Sequence, residues 1–257
     1  MSHYVVGAAL EALGGDAERV KAGELRLGIV ACTMTGGLSY SRRFYQEVMK
    51  DPSTASPLLF PETVFNAPAS HLSAYLGTPA VNYTLVGDAG TFLQGLAVAA
   101  QWLEDGVAEG CVVVGGEESD WTAADALRLF NRRAVHASGA GALYLKGESG
   151  GGAGIELAAV TDSFSGNPSD AAEQMWAQLP AGELNELLCL NEDTQVPWKG
   201  RRVIPQGILG EAFAASAAWQ CVTACQALQS PSLKAANISI TGSGCQAIGA
   251  RFVKVQT

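Results

Sequence analysis

TLVGDAGTFLQGLAVAAQWLEDG, residues 84–106, reads as a strand, a turn and a helix in close succession. Residues 84–86 close an apolar strand, 87–90 make a tight glycine turn, and from Thr91 a helix runs to about residue 105. In α/β enzymes such a turn can expose a nucleophile, because the helix N-terminus behind it stabilises negative charge. This turn is poorly equipped for that role. Asp88 is an acid, Ala89 is inert, Gly90 has no side chain, and Thr91 has no histidine near it in sequence. Asp88 or Thr91 is expected to cap the helix, the ordinary use of such residues there.

Working outward, short apolar runs alternate with helical patterns. Strands are expected at 5–10, 26–33, 82–86, 110–115, 141–146, 155–160, 186–190, 201–204, 237–240 and 250–255. Helices are expected at 41–50, 70–75, 91–105, 123–130, 170–179 and 211–228. Several strands are unbroken Val/Ile/Leu runs, which suits burial on both faces of a mainly parallel or mixed sheet. The fold class is α/β. The glycine-rich join GESGGGAG (147–154) divides the chain into similar halves, 1–147 and 153–257, each with five expected strands and its longest helix after the third. Packed back to back as one compact unit, they would form a five-layered α-β-α-β-α core.

Composition narrows the function. Apolar residues make up 48% of the 257 and charged residues 16%, enough for a large core. Lysine and arginine total 16 against 25 aspartates and glutamates, so nucleic-acid and anionic-membrane partners are not expected. No membrane span or secretory signal is legible, and a cytoplasmic location is expected. The six cysteines and three histidines lack metal-ligand spacing, so neither a metal nor a cofactor is expected. Cys221 and Cys225, four apart in a helical pattern, read as core thiols.

The order of several motifs resembles the β-ketoacyl synthases of the thiolase fold. NAPASHLSAYLGTPAVNYTLVGDAG (66–90) followed by GCVVVGGEE (110–118) is similar to the family's N-terminal half. SGAGALYLKG (138–147) resembles its Gly-Glu-Gly-Ala-Gly strand, with Ser138 in place of the glutamate. IPQGILGEAFAASAAWQCVTACQAL (204–228) resembles the segment that carries the family's lysine and second histidine, and NISITGSGCQAIGARFVKV (237–255) its closing hairpin. Members condense acyl chains with a cysteine thiolate, two histidines and a lysine. The resemblance places the cysteine at Ala89 and the first histidine at Leu190 or Asn191, in LNEDT (190–194). It places the second histidine at Gly210, or at Gly207 in the alternative register, and the lysine at Pro205. None of these positions carries the required side chain. The insertion that normally covers the acyl tunnel is cut to 119–140.

The resemblance therefore implies a non-condensing subunit, of the short chain-length-factor type found in aryl-polyene-like pathways. Its partners would be an acyl carrier protein and a catalytic ketosynthase in fatty-acid or polyketide synthesis, and strand 82–86 would pair across a two-fold axis in a homo- or heterodimer. Chain-length factors usually carry glutamine at the position of Ala89, so a decarboxylating role there is not implied. An alternative is a small thioester hydrolase or acyltransferase using Cys245 or the carboxylates Asp88 and Glu117, and another is an acyl or carrier-protein binding module. Cys245 reads first as a buried thiol, His71 as a packing or capping residue, His136 as an exposed basic spot beside Arg132 and Arg133, and Glu117, Glu118 and Asp120 as a solvated or capping cluster.

Overall fold

The computed structural model describes residues 1–147, 154–192, 194, 196–242 and 246–255. The chain opens with helices α1 (Ser2–Leu13) and α2 (Asp16–Lys21), then strand β1 (Leu27–Thr33) and helices α3 (Leu38–Lys50) and α4 (Ala67–Leu76). Strand β2 (Val81–Val86), helix α5 (Thr91–Glu104), strand β3 (Gly110–Glu117), helix α6 (Trp121–Phe130) and strand β4 (Gly139–Lys146) follow. After the join come β5 (Gly154–Val160), α7 (Pro168–Ala177), β6 (Glu186–Leu190), β7 (Arg201–Val203), the short α8 (Gln206–Leu209), α9 (Phe213–Leu228), β8 (Ala235–Thr241) and β9 (Ala247–Val255).

The strands form two sheets, ordered β2-β1-β3-β4 and β5-β9-β8-β6-β7. In each, three parallel strands are followed by an antiparallel one: β1 pairs parallel with β2 and β3, and β6 pairs parallel with β7 and β8. Strands β4 and β9 close each set antiparallel to β3 and β8. The correspondence runs strand for strand, with β5 as the extra member of the second sheet.

Alternation sorts the side chains into layers. On β1, Val30 and Cys32 face inward onto α5 and α9, in one core cluster that continues through these helices to β6, β8 and β9 of the other sheet. Ile29 and Ala31 face outward, onto α1, α2 and α4. Helix α7 covers the far side of the second sheet through Ala171 and Met175 against Ala247. Outer helices, sheet, the buried pair α5 and α9, second sheet and α7 make the expected five layers.

One strand expectation fails. Residues 5–10 lie inside α1, so the first sheet has four strands and α5 follows its second strand. Val5, Ala9 and Leu13 recur at four-residue spacing and are buried, with α1 packed on β3 and β4, which is a helical period that the short VVGAAL run conceals. Of the join, residues 148–153 lie outside the described residues.

The two buried helices fit because the chain keeps small residues where backbones approach. A Cβ on Gly115 of β3 would strike the Ala214 carbonyl of α9 and lie 3.1 Å from the Phe92 ring of α5. Gly115→Ala should therefore destabilise the fold by about 3 kcal/mol, within the range for core overpacking. Gly7, with open space at its Cβ on helix α1, should gain up to about 1 kcal/mol on conversion to alanine. Urea midpoints of the two variants check this pair.

Candidate functional site

Strands β6 and β8 end at Leu190 and Thr241, and helices α5 and α9 start at Thr91 and Phe213. A cleft of about 290 Å³ opens where these four ends meet. Its walls are Asp88 and Ala89 before α5, Glu211 and Phe213 at the start of α9, and Asn191 and Glu192 after β6. Thr241 and Gly242 at the end of β8, with Leu127 and Asn131 from α6 and its exit, complete it. Two helix N-termini aimed at one cavity give it a positive backbone field.

Asn191 ties the two strand ends together. Its Nδ2 donates to the Thr241 carbonyl at 2.6 Å, and its Oδ1 accepts from the Thr241 amide at 3.1 Å. The Thr241 hydroxyl donates to Glu192 Oε1 at 2.9 Å. Across the cleft, Asp88 Oδ1 accepts from the Ala89 amide at 2.7 Å. That contact is local. Helix α5 starts at Thr91, and its N-cap position is Gly90, which has no side chain to cap it. Gly242 packs directly against the Asp88 carboxylate, leaving no room for a Cβ.

Glu211 is the group that sequence reading passed over. Leu190, Pro205 and Gly210 do not line the cleft, whereas Glu211, one residue beyond Gly210, does. Its Oε1 accepts from the Phe213 amide at 2.7 Å. Its backbone is clamped to the loop before β4: the Glu211 amide donates to the Val135 carbonyl and the Ala137 amide to the Glu211 carbonyl, both at 2.8 Å. Gly210 sits at φ +85°, where a Cβ would come within 2.7 Å of that Val135 carbonyl. Phe213 itself has φ +42°, a left-handed conformation that a non-glycine residue holds only when its surroundings enforce it. Burial pushes the Glu211 carboxyl up from its ordinary value, and the negative charge of Asp88 adds to the shift.

His136 is not the exposed basic spot expected. Its ring packs on Phe213 with centroids 5.7 Å apart, and Nδ1 lies 3.0 Å from the Ser119 hydroxyl. Burial pushes the imidazole down, so it is neutral near pH 7. Arg132 and Arg133 beside it are exposed.

The acidic run after β3 is structural. Glu117 is fully buried outside the cleft and accepts hydrogen bonds from the Met34 amide, the Thr35 amide and the Thr35 hydroxyl, pinning the loop after β1. Burial pushes its carboxyl up. Glu118 takes a hydrogen bond from Ser39 and faces the chain's amino group at 3.8 Å. Asp120 caps α6 through the Thr122 amide at 3.0 Å and holds Arg42 at 3.0 Å. The cap at Asp120 is as expected, whereas Glu117, expected to be solvated or capping, is buried instead. His71 is an exposed partner of Glu62 at 2.8 Å.

Cys221 and Cys225 lie in α9 as expected of core thiols, Cys221 fully buried and Cys225 pushed up to about 12 by burial. Cys245 lies outside the described residues. No group of three or more His, Cys, Asp or Glu side chains among the described residues is arranged to hold a metal ion. No described helix is long and apolar enough to cross a membrane. Among the described lining residues there is no cysteine, histidine, lysine or arginine.

Solved structures share this architecture. An ishigamide ketosynthase/chain length factor matches with TM-score 0.78 at 17% identity, over 90% of this chain and 73% of that one. A type II polyketide-synthase acyl-carrier protein in complex with its ketosynthase matches with TM-score 0.74 at 17% identity, over 99% and 82%. A β-ketoacyl synthase from Burkholderia phymatum STM815 matches with TM-score 0.74 at 14% identity, over 99% and 82%. The chain has the ketosynthase-like thiolase fold. No family model and no curated protein matches it. At these identities the likeness establishes the fold alone, so the site must be read from its own side chains.

Two consequences can be measured. A carboxyl whose pKa rises on folding holds its proton more tightly in the folded state than in the unfolded one. Stability therefore falls as pH rises from its ordinary 4.5 through the raised folded value. Glu211→Gln, which keeps an oxygen for the Phe213 amide, should flatten that fall and leave the variant at least as stable as the parent at pH 8, read from urea midpoints at pH 5 and 8. Glu117→Ala removes the acceptor of three hydrogen bonds from the loop after β1 and should cost about 3 kcal/mol in the same assay.

Proposed function

We propose that this chain is a non-condensing, ketosynthase-like subunit that works beside a catalytic ketosynthase in fatty-acid or polyketide-type chain building, in the manner of a chain-length factor. The observation that carries the reading is the cleft itself. Ala89 stands at the start of α5, with carboxylates and amides around it in place of a thiol, imidazoles and a lysine. Carbon–carbon bond formation by acyl transfer needs a nucleophile and an acid–base or electrophilic partner, and these walls offer no such pair.

The surface supports a dimer. Strand β2 is a sheet edge whose Val81, Tyr83 and Val86 are exposed, and an exposed apolar edge invites pairing. Helix α3 has no buried residue although Tyr45 and Met49 point from it into solvent, and Phe60 and Phe65 follow it, also exposed. A patch of this kind fits a protein–protein contact. The proposed partner is a full-length ketosynthase, with an acyl carrier protein delivering chains to the complex in the cytoplasm. The buried face of α5 bears on how length would be set. Phe92, Leu93 and Leu96 are sealed within the core, so an apolar tunnel wall would be built at the partner contact and not inside this chain.

Co-expression with a ketosynthase encoded beside it should yield a stable complex by sedimentation, and removal of this chain should abolish or shorten that enzyme's product. Alone, the chain should show no condensation of acyl and malonyl thioesters. A monomer under both conditions, or condensation by the isolated chain, would overturn the reading.

A further inference from the structure

One wall of the cleft is held against the preference of its own backbone. Phe213 has φ +42°, a conformation that glycine adopts freely and an aromatic residue does not. The residue is nearly buried, at 6% exposure, yet it lines the cleft together with Ala89 and Leu127. Its ring rests on the His136 imidazole, which does not itself line the cleft. The Phe213 ring therefore stands between the cleft and that imidazole. The backing is itself fixed. His136 Nδ1 lies 3.0 Å from the Ser119 hydroxyl, and the Ser119 amide donates to the Ser138 hydroxyl at 2.7 Å. The pairing of Val135 and Ala137 with the Glu211 backbone fixes the imidazole and the start of α9 relative to each other. His136 Nε2 is buried and has no hydrogen-bond partner, although only one ring separates it from the cleft. A left-handed aromatic residue and an orphaned imidazole nitrogen are each unfavourable, and here they meet at a single contact. Backbone strain of this kind, sustained at the wall of a cavity, points from structure to function. The cavity it bounds is small: about 290 Å³, just below the range of roughly 300–1,000 Å³ usual for small-molecule sites.

We propose that Phe213 is a plug: its ring ends the cleft, limits it to a short acyl group, and so keeps a growing acyl chain on the ketosynthase's side of the complex. The proposal rests on the reading of this chain as a subunit of an acyl-building complex, and it names the residue that decides how deep an acyl chain can enter. Glycine at this position would suit the backbone better, so the ring is retained at the expense of local strain. Exclusion by a fixed bulky group is a direct route to specificity, because a longer chain meets a wall where a shorter one does not.

The test uses the full chain with the butanoyl and octanoyl esters of N-acetylcysteamine, titrated at pH 7.5 and followed by amide shifts in NMR spectra. In the parent the two esters should bind within about threefold of each other, because the added methylenes find no apolar space, or neither should bind. Phe213→Gly removes the ring and suits the left-handed backbone. In that variant, with its fold checked by thermal melting, the octanoyl ester should bind at least about tenfold more tightly than the butanoyl ester. Diethyl pyrocarbonate gives a readout independent of acyl binding. In the parent, His136 should react at least about tenfold more slowly than the exposed His3 and His71, and in the variant it should approach their rate. Phe213→Ala repeats both measurements should the glycine variant fail to fold, and should neither fold, the parent measurements decide. The proposal is overturned by a parent that binds the octanoyl ester more than about threefold more tightly, by a parent His136 within about tenfold of the exposed histidines, or by a folded variant lacking either gain. Complex formation with a ketosynthase is measured separately. An intact complex whose parent cleft takes the longer ester refutes the plug alone, whereas a failed complex or condensation by the isolated chain refutes the functional reading.

Discussion

The structure depends on burying two helices between two sheets. Helix α9 manages this with FAASAAWQCVTACQAL, in which Ala214, Ala215, Ala217, Ala218 and Ala224 are all fully buried. Small side chains let the helix backbone approach β3 and β4 closely, and Gly115 and Gly141 complete the fit from the sheet side. Dispersion and burial then act over both helix faces at once, so much of the core's apolar area lies in one contiguous cluster. Because α5 and α9 are sandwiched, their N-termini cannot fray outward. They are held beside the ends of β6 and β8, and the cleft is a by-product of that constraint.

The same constraint explains why the cleft tolerates carboxylates. Helix N-termini favour negative charge, and here two of them face it, so Asp88 and Glu211 are accommodated where isolated buried acids would be costly. The accommodation is incomplete for Glu211, whose carboxyl is pushed up by burial. Strain also collects here. The left-handed Phe213, the positive φ of Gly210 and the backbone clamp to Val135 and Ala137 lie within a few residues of one another. Such features persist when surrounding structure enforces them, and they concentrate where a scaffold is shaped for binding.

Much of the fold was legible in sequence because buried parallel strands are written as unbroken apolar runs. Strands β1, β3, β6 and β8 were found within a few residues at each end for that reason, and the Gly87–Gly90 turn marked the start of α5. The misreading of residues 5–10 has a physical cause. Six residues of mixed Val, Ala, Gly and Leu satisfy both periods, and only the burial of Val5, Ala9 and Leu13 on the outer face of the first sheet decides for helix. Glu117 was legible as a strand-end acid, but its burial beneath the loop at Met34 and Thr35 joins residues over eighty positions apart, which local pattern cannot report.

What the amino-acid order determined alone is the α/β class and the positions of most strands, because these follow from local hydrophobic period and residue identity. The cleft's composition was decided only in three dimensions. Asp88, Asn191, Glu211 and Thr241 come from four separate segments, and their meeting depends on how two sheets and two helix starts converge. Charge at a site is a sum over neighbours in space. The chain order holds each term of that sum, and only the packed structure states which terms belong together.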